Sequence, residues 1–306
     1  MRVSVLILTL NEATNLPGCL RAVQWCDDVV VLDSGSADAT VEIAVTFGAR
    51  VVTRPFDCFA DQRNYGLNHV EFAHDWVLHL DADEIVSPRF VAALSSLQPP
   101  MGIDGYRVPF KMMLMGRWLR HAGMWPAYQV RIGHAQRLRF VQVGHGQREA
   151  LPPDRVGDFP EPIEHYSFSK GMHPWLQKHL GYAADEAALV AVERRSGAAP
   201  SRDLLSVSPV LRRRAAKSLA SRLPLSLRPF ARFAYVYGWC LGFLDGRAGL
   251  TYALMLSTYE GMISILAGET ETSLRELDHR TLDAQGGQAA GGPATGRPGD
   301  TSGGGA

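Results

Sequence analysis

Apolar and polar positions change rhythm several times along the chain. Val3 to Leu10 is a near-continuous apolar run, the pattern of a parallel strand covered on both faces. "NEATNLPGCLRAV" follows, with Leu16, Leu20 and Val23 at helical spacing. The next run, "DDVVVLD", stops at Asp33 in a Ser/Gly/Asp loop and gives way to the helical "VEIAVTFGA". "RVVTR" predicts a third strand, and "PFDCFADQRNYGLNHV" leads from it to a fourth at Trp76 to Leu80. This βαβαβαβ alternation predicts an α/β fold around a doubly wound, mostly parallel sheet. Ligands of such sheets bind beyond the carboxyl ends of the strands.

From residue 105 the character changes. "GYRVPFKMMLMGRWLRHAGMWPAYQVRIGHAQRLRF" mixes aromatics, Met and Arg, as strands beside an irregular binding surface would. "HPWLQKHLGYAADEAALVAVERR" predicts a helix with Pro174 in its first turn and one face made of Leu176, Leu180, Ala183, Ala187 and Val190. Two apolar stretches, Phe233 to Leu244 and Ala248 to Gly268, flank "DGR". The second is long enough to span a bilayer, but Glu260, Gly249, Gly261 and its Thr and Ser residues favour a packed or interfacial helix. The tail from Asp283 is rich in Gly, Ala and Pro with few apolar anchors, the composition of a disordered segment. The expected organisation is thus 1–120, 121–200, a helical basic and apolar extension over 201–270, and a disordered tail over 283–306.

Composition alters this picture at two points. With 306 residues and 46% hydrophobic content the chain can bury a substantial core. Lys+Arg and Asp+Glu balance at 31 each, which excludes bulk polyelectrolyte character. The distribution is uneven, because no acidic residue lies between Asp203 and Asp245 while Arg212, Arg213, Arg214, Lys217, Arg222, Arg228 and Arg232 all do. Cations interleaved with Leu and Phe suit an anionic membrane surface; a solvated helix face is the plainer alternative. No recognition motif for nucleic acid accompanies the charge. Cys19, Cys26, Cys58 and Cys240 show no CxxC spacing, so reduced thiols in a cytosolic compartment are expected. The chain opens directly on a strand, and no export is expected.

The candidate chemistry sits at strand ends. Polar loops follow three of them, at Asn11-Glu12, Asp33-Ser34-Gly35-Ser36 and Asp81-Ala82-Asp83-Glu84. All three should face one rim. Like charges this close repel one another, so the strand end "VLHLDADE" is either fully solvated or holds something cationic. Asp81 and Asp83 stand at i and i+2 and can point into one space. Two carboxylates offer hard oxygen ligands for Mg²⁺ or Mn²⁺, ions that also take phosphate oxygens. His165, in "IEHYSF", could complete the coordination as a neutral imidazole or be a packed structural residue.

"ILTLNEATNL", "VVVLDSGSADAT", "QRNYGLNH" and "LHLDADEIV" together resemble a family 2 glycosyltransferase of GT-A fold. Later segments, "GRWLRHAGMWPAYQVRI", "HYSFSKGMHPWLQKHLGYAADEA" and "GFLDGRAGL", resemble the bacterial subgroup that adds glucose to the inner core of lipopolysaccharide. The resemblance implies that Thr9, Asn11 and Glu12 lie at the nucleotide base and ribose, and that Asp33 accepts the uracil N–H. It implies that Arg63 stabilises the diphosphate or holds the acidic loop, that Asp81 lies near ribose and metal, and that Asp83 binds Mg²⁺ or Mn²⁺. Such an enzyme would invert configuration, moving a hexose from a UDP-sugar to a glycolipid at the inner face of the bacterial inner membrane. A polyprenyl-phosphate acceptor, or a sugar-nucleotide binder that has lost catalysis, are the alternatives. The chain departs from the family where an acidic base is expected, with Ala127 in "WPAYQ" and Gly146 in "GHGQRE". Glu149 and His145 are the remaining candidates for the base in that segment.

Overall fold

The structure, a computed structural model, describes residues 1–143, 146–196 and 223–289. His145 and the basic run from Arg212 to Arg222 lie outside the described residues. The chain divides into two units, of which the first comprises Met1–Tyr182 and Pro229–Glu260. The second holds the described parts of Ala183–Arg228 and Gly261–Ala306.

In the first unit the predicted alternation is realised as β1 (Ser4–Thr9), α1 (Leu16–Ala22), β2 (Val29–Asp33), α2 (Thr40–Thr46), β3 (Arg50–Thr53), α3 (Phe59–His69) and β4 (Trp76–Asp81). β5 (Glu84–Val86), α4 (Pro88–Ser96), β6 (Gly105–Leu114), β7 (Arg117–Trp118) and β8 (Ala127–His134) follow. Then come β9 (Phe140–Val143), β10 (Gly146–Glu149), β11 (Val156–Asp158) and β12 (Ile163–His165). The main sheet has ten strands, with the path β3-β2-β1-β4-β8-β6-β12-β5 and with β7 and β11 joined to β6. β3, β2, β1 and β4 are mutually parallel. β8 runs antiparallel between β4 and β6. The result is the mixed, parallel-dominated α/β sheet expected of a GT-A domain.

The apolar runs explain the layers. β1 feeds both faces: Val5 and Ile7 join the cluster with α1 and α4, while Leu6 joins the one with α3. A strand buried on both sides has no room for polar alternation. At Gly66 of α3 a Cβ would come within 2.6 Å of the Leu6 side chain, so glycine lets the helix lie directly on the strand. Ser87 caps α4 by accepting a hydrogen bond from the Phe90 N–H at 3.2 Å, with Pro88 at the first helical position. The strand order β3-β2-β1-β4 changes sense between β1 and β4, the kind of point beyond whose strand ends such sheets bind ligands.

After β12, α5 (Met172–Ser196) matches the predicted helix and the Ala183 and Ala187 part of its predicted face, but not the leucines at its N-terminal end. Leu176 and Leu180 are exposed, and the buried stripe is Ala183, Ala187 and Ala191. In the N-terminal turns the inward positions belong to Trp175 and His179, stacked at 3.6 Å, with His179 set edge-on against Tyr259. Aromatic rings took the inward register there, and the leucines lie one position round the helix. α6 (Arg228–Phe233) leads into a π-helical turn, Ala234–Trp239, and a 3₁₀ turn, Gly242–Asp245. α7 (Gly246–Ala289) then runs on past Asp283. Its first turns place Ala248, Tyr252, Ala253 and Met255 in a third cluster with Leu114, Leu119, Ala122 and Val236. In the second unit, Arg194 Nε donates to Glu271 at 2.8 Å and Nη1 to the Leu223 carbonyl at 3.1 Å.

Candidate active site

Parallel register brings the three polar strand ends to one rim. Thr9 pairs with Asp33, and Leu8 with Asp81. Around Asp33 the loop closes on itself. Thr9 Oγ1 (2.8 Å) and Ser36 Oγ (2.5 Å) donate to Oδ1, while the N–H groups of Gly35 (2.9 Å) and Ser36 (2.8 Å) donate to Oδ2. Burial works against the charged form, but these hydrogen bonds outweigh it and hold the carboxyl below its usual range. Four donors match the roughly four lone-pair positions of a carboxylate. Asp33 thus orders the 33–36 loop, and one of its hydroxyl partners would have to turn away for it to accept from a base.

Asn11 adopts a left-handed backbone (φ 54°) and accepts the Ala37 N–H at 2.8 Å, while its own N–H donates to Ser36. Glu12 accepts from Asn15 Nδ2 at 2.7 Å and pairs with Lys170 Nζ at 2.5 Å. Burial raises the Glu12 pKa against the pull of Lys170. Lys170, which the sequence did not single out, therefore ties the loop after β1 to the segment after β12.

The acidic strand end is neither fully solvated nor left for a metal alone to neutralise. Arg63 of α3 donates to Asp81 Oδ1 at 2.6 Å, and Arg131 of β8 donates to Asp81 Oδ2 at 2.6 Å and to Glu84. Both arginines and Glu84 are fully buried. The Asp81 N–H closes the turn onto Glu84 Oε2 at 2.9 Å. Burial opposes charge on Asp81, but Arg131 and Arg63 hold its carboxyl far below the usual range. Glu84 goes the other way: burial pushes it up to about 7, against the pull of Arg131 and with the repulsion of Asp81. Arg131 was missed in the sequence because "YQVRIGH" reads as a strand. The one available signal was a lone cation in an apolar alternation, which demands a buried partner.

Asp83 stands apart from this pair of arginines. Its Oδ2 lies 3.4 Å from His165 Nε2, and each side chain is about one-fifth exposed. The pairing Glu84↔His165 across β5 and β12 sets the imidazole there, and Ser167 Oγ lies 2.8 Å from the same Nε2. Burial alone would lower the His165 pKa, yet Asp83, Glu84 and Asp81 push it up to about 9. A strongly cation-seeking corner is the physical meaning of that shift. One carboxylate and one imidazole, open to solvent, fit a divalent ion that completes its shell with phosphate oxygens and water. Among the described residues the tight three-ligand cluster lies elsewhere, at Asp57, Cys58 and Asp61. Those side chains are near the surface, and Asp57 is already engaged by Arg54.

Glu149, at the end of β10, pairs in register with Phe140. Phe140 packs on His79 and lies under the Arg63 guanidinium. Glu149 makes no hydrogen bond to Asp81, Asp83 or His165; Arg107 is the group that feels its charge. A surface cavity of about 390 Å³ lies at the opposite strand ends, where its Arg137 and Arg155 are already paired with Asp104.

Residues 4–98 match the model described as Glycosyl transferase family 2. Over 118 residues the chain is 31% identical to an uncharacterized glycosyltransferase of Rickettsia bellii, covering 38% of this chain and 40% of that protein. It is 27% identical over 168 residues to the lipopolysaccharide core biosynthesis glycosyltransferase LpsC of Rhizobium meliloti, covering 52% of this chain and 57% of the relative. A solved structure of glucosyl-3-phosphoglycerate synthase from Mycobacterium tuberculosis with Mg²⁺ and uridine diphosphate is 26% identical. Its TM-score is 0.32, over 36% of this chain and 44% of that one. The chain spans about two-fifths of the length of the first of these curated relatives. The similarity to glycosyl transferase family 2 lies within residues 4–98.

Proposed function

We propose that the protein is a metal-dependent, inverting glycosyltransferase that moves a hexose, glucose in the first instance, from a UDP-sugar to a lipopolysaccharide core or related glycolipid. The observation that carries this reading is the meeting of Asp83 and His165 on the rim of the family 2 domain. The printed name of the Rhizobium relative supports the acceptor class. A divalent cation held by Asp83 and His165 would supply Lewis-acid stabilisation of charge on the departing diphosphate. Arg63 and Arg131 keep Asp81 ionised and fixed before a nucleotide arrives. The loops at Thr9 to Glu12 and at Asp33 then hold the nucleoside. The direct test is transfer from UDP-glucose to core-truncated lipopolysaccharide, with and without Mn²⁺. A protein that binds UDP-sugars but never transfers would instead be a lapsed binder.

Asp33→Ala is expected to weaken UDP-sugar binding by about 1–3 kcal/mol, since four loop donors lose their charged acceptor. Uridine preference should relax with it. Calorimetry across a series of nucleoside diphosphates checks this, and an unchanged ranking would reduce Asp33 to a turn residue.

The same proposal places the enzyme peripherally on the cytoplasmic face of the inner membrane. Trp239 is 82% exposed and Phe230 73% exposed, and Phe243, Leu244 and Leu254 are about half exposed on neighbouring turns. Arg232 and Arg247 belong to the same stretch. Large apolar side chains facing outward beside cations suit a headgroup interface better than water. The helix Gly242–Ser273 is also long and apolar enough to cross a bilayer, with a third of its apolar window buried in the protein. Sedimentation with phosphatidylglycerol vesicles is therefore expected. Replacing Trp239 and Phe230 together by Ser should cost about 2–4 kcal/mol of membrane affinity, from roughly 1.5–3 kcal/mol per fully buried side chain. Sedimentation that ignores both the double substitution and raised salt would indicate an integral anchor; none at all would remove the lipid acceptor.

A further inference from the structure

The loop between β7 and β8 carries a second constellation that the donor site does not use. His121 Nδ1 lies 2.9 Å from Asp245 Oδ1, and the His121 backbone N–H donates to Asp245 Oδ2, also at 2.9 Å. The Asp245 side chain is only 3% exposed, while that of His121 is 31% exposed. Both belong to the first unit. A carboxylate on Nδ1 keeps the proton there and leaves Nε2 with a lone pair directed away from the aspartate. Nε2 has no hydrogen-bond partner among the described residues. We propose that His121 is the general base that takes the proton of the acceptor hydroxyl, and that Asp245 is its positioning residue.

Three observations carry this beyond a loop tie. The backbone hydrogen bond alone would pin the loop to the Gly242–Asp245 turn, so the second contact, to the ring, is surplus to that purpose. The surrounding backbone is held in sparsely populated conformations, with Ala122 and Leu241 both at φ 57°. Non-glycine residues in the left-handed region cost energy and gather where the structure fixes a functional geometry. Close packing enforces it here, because a Cβ on Gly249 would fall 1.9 Å from the Gly242 carbonyl oxygen, and the Ala122 N–H donates to the Cys240 carbonyl at 2.9 Å. Finally, the loop is anchored to the strand that neighbours His165. The Leu119 N–H donates to the Met112 carbonyl at 2.9 Å, and Met112 is the register partner of His165.

The inference rests on the glycosyltransferase reading and supplies the base that Ala127 and Gly146 lack. In the step, the acceptor O–H gives its proton to His121 Nε2 as the oxygen forms a bond to the anomeric carbon. The bond from that carbon to the diphosphate oxygen breaks, and the electron pair leaves with UDP. The imidazolium later returns its proton to solvent. Asp245 stays ionised throughout, fixing the ring and facing the charge it acquires.

The test is kinetic. His121→Ala should lower kcat for transfer from UDP-glucose to core-truncated lipopolysaccharide by about 10²- to 10⁴-fold, the usual contribution of a positioned base. Affinity for UDP should stay within about twofold, and added imidazole should restore part of the rate. Asp245→Asn, which can still accept the backbone N–H, should also slow transfer with donor affinity kept. Melting temperatures of both variants confirm that they fold. Activity of His121→Ala within about threefold of the unaltered enzyme would overturn the assignment while leaving the glycosyltransferase reading intact. So would a loss that follows UDP affinity, or one that imidazole leaves untouched. An unaltered protein inactive towards every acceptor would overturn both.

Discussion

Asp83→Asn is expected to abolish sugar transfer, with a loss of at least about 10³-fold, and to remove the metal dependence of UDP binding. A hard divalent ion needs the anionic oxygen, and an amide of the same shape does not replace it. Stability without metal should change little. Asp83 is partly exposed and its 3.4 Å contact with His165 is the kind of pair worth about 0–1 kcal/mol. The melting temperature should therefore move by no more than about 2–4 °C. Thermal unfolding with UDP, with and without Mn²⁺, reads both effects together. Unchanged turnover in this variant would sink the metal reading, and a collapse of the fold would show that Asp83 is structural.

Arg131→Met should destabilise the fold strongly, by about 3–5 kcal/mol. Met fills much of the volume but leaves the buried Glu84 without its guanidinium partner and Asp81 with Arg63 alone of the two. The sign with pH follows. Burial already pushes Glu84 up to about 7 with Arg131 in place, and losing the guanidinium raises its proton affinity further. A carboxyl whose folded pKa lies above its unfolded value contributes stability at low pH and loses it as pH rises. The deficit should thus be smaller at pH 5 than at pH 8. Chemical unfolding at the two values checks this; a deficit independent of pH would mean that cavity formation, not charge, governs the site.

What the sequence made legible depended on whether the physical cause was local. β1 to β4 were readable because each is an apolar run stopped by a polar loop, and strand ends at one rim follow from parallel pairing alone. Asp81 and Asp83 stood out by their spacing. Arg131 did not, because its carboxylate partners come 47 and 50 residues earlier in the chain and only the β4–β8 pairing unites them. The His121–Asp245 pair spans 124 residues and was equally hidden. The N-terminal part of the predicted face of α5, at Leu176 and Leu180, failed for a related reason. Leucine at helical spacing is the usual guide to a buried stripe, but Trp175 stacks on His179, which meets Tyr259 of a distant helix edge-on, and these rings fix the rotation there instead.

The third cluster bears on where the chain could be cut. Leu114 at the end of β6, Leu119 and Ala122 from the loop after β7 and Trp175 from α5 pack with Val236, Ala248, Tyr252 and Met255, so the polypeptide leaves the first unit and then returns to complete it. A truncation at residue 200, which composition alone would recommend as a soluble catalytic core, strips that cover and takes Asp245 with it. The product would keep every donor residue named above and still present an apolar flank where the acceptor loop should rest. Modularity is limited accordingly: the first unit is assembled from two separate stretches of chain, Met1–Tyr182 and Pro229–Glu260, and neither alone completes its third cluster.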